Sequence, residues 1–263
     1  MHDNQRPQAV SDGKSRSVGQ KAAASIAEVR SSLVGETLLV IATLVGLAVV
    51  CLSGLLITAL VDDVSEADGV TKFDHRVLSW VLDHRTSAWT SIARTVTHLG
   101  DPFVVVAVTA VASISLIWAR RFNLGAFVVL ATSGAAIASS VAKLAIDRSR
   151  PPETVWLSKA WGLSFPSGHA TQSVACWGAL AIVACVLIRS RRWRTPIVVT
   201  AVAIALSVGT SRIYLGVHWF ADVVCGWALA SLWLATLFLA GWCTPRLRTI
   251  WTGRRISRPS VGS

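Results

Sequence analysis

Three short polar stretches interrupt an otherwise apolar chain: KLAIDRSRPP, Lys143 to Pro152; FPSGHA, Phe165 to Ala170; and SRIYLGVHWFADV, Ser211 to Val223. Between them they hold the cations Lys143, Arg150 and Arg212, the histidines His169 and His218, and Asp222 four residues after His218. Three cations suit one multiply charged anion. Ser167 and Gly168 stand at the start of an apolar helical run, where backbone N–H groups are free to donate to the same anion. Asp222, one helical turn from His218, is placed to accept from one ring nitrogen and leave the other as a nucleophile. A phosphoryl group between the two histidines, its oxygens held by Lys, Arg and backbone amides, needs neither metal nor cofactor. Each piece alone has an ordinary reading: a snorkelling cation at a helix end, a Pro-Ser-Gly helix start, an i,i+4 polar pair. The chemistry follows only if all three meet.

What brings them together is topology. The chain is 53% hydrophobic and only 15% charged, well below the charged fraction of a soluble domain. Six runs are free of charge: Thr37–Val61, Pro102–Ala119, Phe122–Ala142, Ala170–Ile188, Thr195–Ser211 and Val223–Pro245. About 20 apolar residues cross a bilayer as a helix, so the expectation is an all-α polytopic membrane protein with six transmembrane helices. Alternating spans put the third-to-fourth and fifth-to-sixth connections on one side, and these connections carry the three polar stretches. A Lys, Arg or Asp costs roughly 2.5–3.5 kcal/mol at a helix centre, and less near the ends where these residues stand.

Charge orients the bundle. The net charge of +11 raises the question of nucleic acid, but 16 of the 25 Lys and Arg fall in the two tails, at Arg120–Arg121 and in RSRRWR. With both termini cytoplasmic this is the positive-inside pattern, and no nucleic-acid partner is needed to explain it. The site then faces the extracytoplasmic side of a cell membrane. Residues 1–34 read as a disordered basic cytoplasmic tail, 35–245 as the six-helix domain and 246–263 as a second basic tail. The N-terminal stretch has no apolar core and is not a signal peptide.

Between the first two runs, Phe73 to Asp101 has apolar residues at a helical period, including Leu78, Val81, Leu82, Trp89, Ile92 and Val96. Its charges argue against spanning, so it is expected as an interfacial amphipathic helix on the outer side, with His75, His84 and His98 solvated or interfacial. Trp156 and Trp161 suit a loop resting at the interface. Cys51, Cys176, Cys185, Cys225 and Cys243 all lie in apolar runs without metal-like spacing and read as small hydrophobes on buried helices.

The polar stretches also resemble a family. KLAIDRSRP is similar to the first signature of the type 2 phosphatidic acid phosphatases, a Lys, six residues, then Arg-Pro. PSGH is similar to the second, and SRIYLGVHWFAD to the third, Ser-Arg, five residues, His, three residues, Asp. All three stand in order, with no departure at a signature position. The resemblance implies a covalent mechanism. His218 would attack phosphorus with Asp222 orienting its ring, and His169 would protonate the departing oxygen and then help activate water. Lys143, Arg150, Ser167, Gly168 and Arg212 would hold the phosphate, with Ser211 beside the site rather than in it. The same scaffold is similar to vanadium haloperoxidases, whose members are largely soluble, unlike this chain.

The function expected is that of an integral membrane lipid phosphatase. It would act on a phosphate monoester or diphosphate: a polyprenyl diphosphate, phosphatidylglycerol phosphate or phosphatidic acid. Its partners are the lipid substrate and the bilayer. A lipid phosphotransferase would use the same residues with an acceptor other than water. A binder or transporter of phosphorylated lipid would keep the cations but have no need of both histidines, and no paired broken helices of a transporter are visible.

Overall fold

Backbone in hydrocarbon must hydrogen-bond to itself, and the apolar runs do so as helices. The computed structural model describes residues 40–66, 69–188 and 190–243, together with Ser25 and Thr37. Apart from Ser25, the tails expected at 1–34 and 246–263 lie outside the described residues. The helices are α1 Val40–Ser65, α2 Gly69–Asp83, α3 Ser87–Thr97, α4 Pro102–Trp118, α5 Phe122–Ile146, α6 Gly168–Leu187, α7 Arg194–Tyr214 and α8 Phe220–Cys243. Among the described residues, α1, α5, α6, α7 and α8 are each long and apolar enough to cross a membrane. Ser87–Gly100 and Pro102–Trp118, bent by 47°, meet the same test only as a pair, which gives five spans, or six where the pair counts as one. The protein is a multi-pass, all-helical membrane protein.

The bend has a local cause. Asp101 is extended and its side chain accepts from Phe103 N at 2.9 Å, while Pro102 opens α4 at a position that has no helical partner for an N–H. The segment expected as one amphipathic helix is therefore two. α2 ends at Asp83, and α3 begins after Thr86, whose hydroxyl accepts from Trp89 N. Apolar periodicity continues across the break and conceals it. A hydroxyl able to cap the new helix is the local signal.

α6 is the central element and packs against α4, α5, α7 and α8. The contact faces are built from small residues. Ala131 and Ala179 share a cluster with Leu234, and Ala135, Ala175 and Ala230 form another. Small side chains allow the close helix approach that packing within a membrane requires. At Gly209 on α7 an added Cβ would lie 2.3 Å from the Trp227 ring, whose Nε1 donates to Ala205 O at 3.1 Å. The indole of α8 is thus keyed into α7. Cys176 and Cys225 are buried as expected, whereas Cys51 is exposed on the outside of α1. A cysteine facing the bundle's perimeter meets the same apolar demand as one inside it, which is why composition does not separate the two.

Helices run past the ends of the apolar runs into the polar stretches. Lys143 lies in the last turn of α5, His169 in the first turn of α6, Arg212 in the last turn of α7 and Asp222 in the first turn of α8. All four ends gather at one end of the bundle, together with α2, α3 and the loop after α5. α5 stops at Asp147, which is left-handed at φ 50° and returns its N–H to Lys143 O. That turn sends the chain into the loop that carries Arg148 and Arg150.

Candidate active site

His218 sits in the short turn between α7 and α8, buried at 2% exposure. The turn depends on Gly216 at φ 74°, where an added Cβ would lie 2.6 Å from Val155 O. The imidazole is held from both sides. Its Nδ1 is 3.3 Å from Asp222 Oδ2, and its Nε2 is 3.1 Å from Arg150 Nη1. A guanidinium has only donors, so Nε2 must be the acceptor and Nδ1 must carry the ring proton toward Asp222. Burial pushes the His218 pKa down to about 3, with Arg150 and Arg212 adding to the effect and Asp222 opposing it. The ring is neutral at pH 7, and its lone pair is on Nε2, directed at Arg150.

Asp222 is fully buried and saturated with donors. Oδ2 accepts from His218 Nδ1, from Trp219 N at 2.8 Å and, in a short contact, from Ser164 Oγ. Oδ1 accepts from Arg148 Nη1 at 2.7 Å. Rotating this carboxylate would break several bonds at once.

The other predicted residues gather around this pair. Besides His218, Arg150 donates to the carbonyls of Trp161, Gly162, Leu163 and Val217 at 2.7–3.1 Å. Lys143 Nζ donates to Leu163 O at 2.7 Å and to Ser164 O at 3.3 Å, tying the end of α5 to the strap that precedes α6. Ser167 is fully buried, and its N–H donates to Asp222 O at 2.9 Å. Arg212, 3% exposed, donates from Nη1 to Thr97 Oγ1 at 3.0 Å. Among the described residues, Ser167 Oγ and Arg212 Nε are buried without a hydrogen-bond partner. His169 stands in the first turn of α6, next to Gly168. Ser211 donates to Val208 O within its own helix, outside this network.

Lys143, Gly168 and His169 also line one end of a cavity of about 520 Å³ between α4, α5 and α6. The rest of its wall includes Val105, Val106, Val129 and Ala136. Hydroxyls such as Thr109, Thr132 and Ser139 also lie along this wall, but its charged and imidazole groups, Lys143 and His169, stand at one end, an arrangement that suits an amphiphile with a charged head.

Sequence reasoning overlooked four contributors. Arg148 and Ser164 hold Asp222, Asp74 holds Arg148 at 2.7 Å, and Thr97 holds Arg212. Arg148 stands inside the first polar stretch, two residues before Arg150, at a position the signature spacing leaves open. Asp74 and Thr97 come from the segment read as interfacial. His75 from that segment meets the Trp219 ring edge-on at 4.8 Å, so it packs beside the site.

Fold and site define a class: a multi-pass helical membrane protein with a buried His–Asp pair surrounded by Arg and Lys at one end of its bundle. Residues 122–244, a little under half of the chain, match the PAP2 superfamily, and the matched stretch includes all eight predicted site residues. An undecaprenyl-diphosphatase of Sulfolobus acidocaldarius is 32% identical over 143 residues, 52% of this chain and 63% of that protein. The chain thus matches a little under two thirds of that relative's length. Phosphatidylglycerophosphatase B of Bacillus subtilis is 28% identical over 141 residues, 52% of this chain and 68% of that protein. The fold is also similar to the crystal structure of a transmembrane PAP2-type phosphatidylglycerolphosphate phosphatase from Bacillus subtilis. The TM-score is 0.68 at 21% identity, covering 76% of this chain and 98% of that one.

Proposed function

We propose that this protein is a membrane lipid phosphatase in which residues 35–245 form the catalytic domain and His218 is the nucleophile. The observation that carries the reading is the enforced tautomer of His218: Nδ1–H toward Asp222, lone pair on Nε2 beside Arg150. Nε2 attacks the terminal phosphorus, an N–P bond forms, and the bond from that phosphorus to the departing oxygen breaks. That oxygen is the lipid alcohol's in a monoester and the bridging oxygen of the lipid monophosphate in a diphosphate. His169 supplies the proton to the departing oxygen. The ring, now cationic, keeps its proton on Nδ1 and donates it to Asp222. Water then attacks phosphorus with His169 taking its proton, the N–P bond breaks and phosphate leaves.

Arg150, Arg212, Lys143 and the N-terminal turn of α6 at Ser167 and Gly168 neutralise the phosphate oxygens. The unpartnered Ser167 Oγ and Arg212 Nε support this, because buried donors without partners are costly unless a ligand takes them up. A phosphate oxygen entering beside His218 would also take the Arg150 N–H now directed at Nε2. The cavity beside His169 suits a prenyl or acyl chain, so the substrate is a lipid phosphate or diphosphate. The names of the relatives support a polyprenyl diphosphate or phosphatidylglycerol phosphate first. The positive-inside charge distribution supports an extracytoplasmic site with both termini cytoplasmic.

The purified chain in detergent with a chelator should release phosphate from farnesyl diphosphate, phosphatidylglycerol phosphate or phosphatidic acid, and vanadate should inhibit it. Radiolabelled substrate should leave an acid-labile, alkali-stable label on the wild type and none on His218→Ala. Robust turnover by His218→Ala would overturn the mechanism.

A further inference from the structure

Arg148 lies 74 residues from each of two buried aspartates and bonds to both. Nη1 donates to Asp222 Oδ1 and Nη2 to Asp74 Oδ2, each at 2.7 Å. Asp74 lies on α2, outside the stretch that matches the superfamily, and is 1% exposed. Its second oxygen, Oδ1, accepts from Ala221 N at 2.9 Å. That N–H belongs to the first turn of α8, where no intrahelical acceptor exists and a carboxylate is favoured. Asp74 therefore grips both the arginine that holds Asp222 and the helix turn that carries it. The Arg148 guanidinium also lies 5.6 Å from the centre of the Trp219 ring, between His218 and Asp222 in sequence.

From this arrangement we propose that Asp74 is a positioning residue for catalysis, acting through Arg148 on Asp222 and hence on His218. The proposal rests on the reading of His218 as nucleophile. Its physical basis is charge as well as geometry. Asp222 must stabilise an imidazolium-like ring once the N–P bond forms, and Arg148, bonded to the same carboxylate, competes for its charge. A second carboxylate on the far side of Arg148 neutralises the guanidinium and gives Asp74, Arg148 and Asp222 a combined charge of one negative unit. Without Asp74 the group behind His218 is neutral, and the cationic ring loses its counter-charge. Asp74 has no bond to the predicted phosphate-holding residues, so its loss should act on turnover rather than on capture of the lipid.

The test uses the full chain in detergent, with whichever of farnesyl diphosphate, phosphatidylglycerol phosphate and phosphatidic acid the wild type hydrolyses fastest. Asp74→Asn keeps the shape and an acceptor for Ala221 N but removes the charge. Groups that orient a reacting ligand from behind cost about 10- to 100-fold when lost, and a kcat loss in that range is expected, with KM within about twofold of wild type. Arg148→Lys is the second variant. It retains one positive charge but cannot span two carboxylates with a planar fork, so it should show the same loss in kcat alone. In an Asp222→Asn background, Asp74→Asn should cost little more, because the group it acts through is already impaired. Wild-type kcat in Asp74→Asn, a loss confined to KM, or a fully multiplicative double variant would each overturn the proposal. Should His218→Ala match the wild type, the reading of the site fails; with turnover dependent on His218 but indifferent to Asp74, only the role of Asp74 fails.

Discussion

Opposite sides of the site are built differently. On the side of α8, Asp222 holds four donors, His218 is bonded through both ring nitrogens, and Arg148 is fixed between two carboxylates. On the side of α5, α6 and α7, Ser167 Oγ, Arg212 Nε and Ser139 Oγ are buried and lack partners among the described residues. Ser139 lines the cavity together with Lys143, Gly168 and His169. A saturated network holds one geometry and does not reorganise during reaction, which suits a nucleophile. Unpartnered donors and an open apolar cavity suit a visitor that brings its own oxygens and its own hydrocarbon. The contrast separates the part of the site that must not move from the part that must receive.

The largest effect should come from loosening the saturated side. Asp222→Asn keeps the volume but favours the wrong histidine tautomer; about 10⁴-fold is lost in kcat when the orienting aspartate of a serine protease triad is changed this way. A loss of similar order is expected here, read as initial rates against the wild type. Less than tenfold would mean that the saturated network is structural only. An intermediate effect should come from filling the receiving side. Ser139→Leu removes an unpartnered hydroxyl and intrudes on the cavity, so KM for a long-chain lipid phosphate should rise by about tenfold. kcat on a short water-soluble phosphate ester should stay near wild type. Equal effects on both substrates would show that the cavity is not where the chain lies.

The smallest expected effect is in pH dependence. With the His218 pKa lowered to about 3, the nucleophile stays neutral as pH falls from 7 to 5, so kcat/KM should show no acid limb from this group in that window. Stability, unlike turnover, does respond to this group as pH falls. An unfolded histidine takes up a proton below about 6.5 while the folded one resists to about 3, so His218 destabilises the fold progressively as pH falls between those values. His218→Gln should flatten that slope in a thermal-melt series from pH 7 to 4. A steep loss of kcat/KM between pH 7 and 6 that vanishes when another group is substituted would assign the limb elsewhere.

Much of this was legible in the chain itself. Hydrophobicity is a local property, so long uncharged runs identify spans wherever they pack. Alternating topology then brings Lys143 to Arg150, Ser167 to His169 and Arg212 to Asp222 to one end without any knowledge of contacts. The i,i+4 spacing of His218 and Asp222 is likewise local, because a helical turn brings those positions together. Tertiary structure alone decided what stands behind them. Asp74 and Arg148 pair across 74 residues, and Thr97 and Arg212 across 115, separations that carry no periodic signal. The break at Thr86 and the bend at Asp101 turn a surface-looking segment into two helices, one of which delivers a buried carboxylate to the site. Composition sees such a carboxylate as one more outer-face acid. Only burial beside an arginine, where a lone charge would be costly, reveals it as a partner.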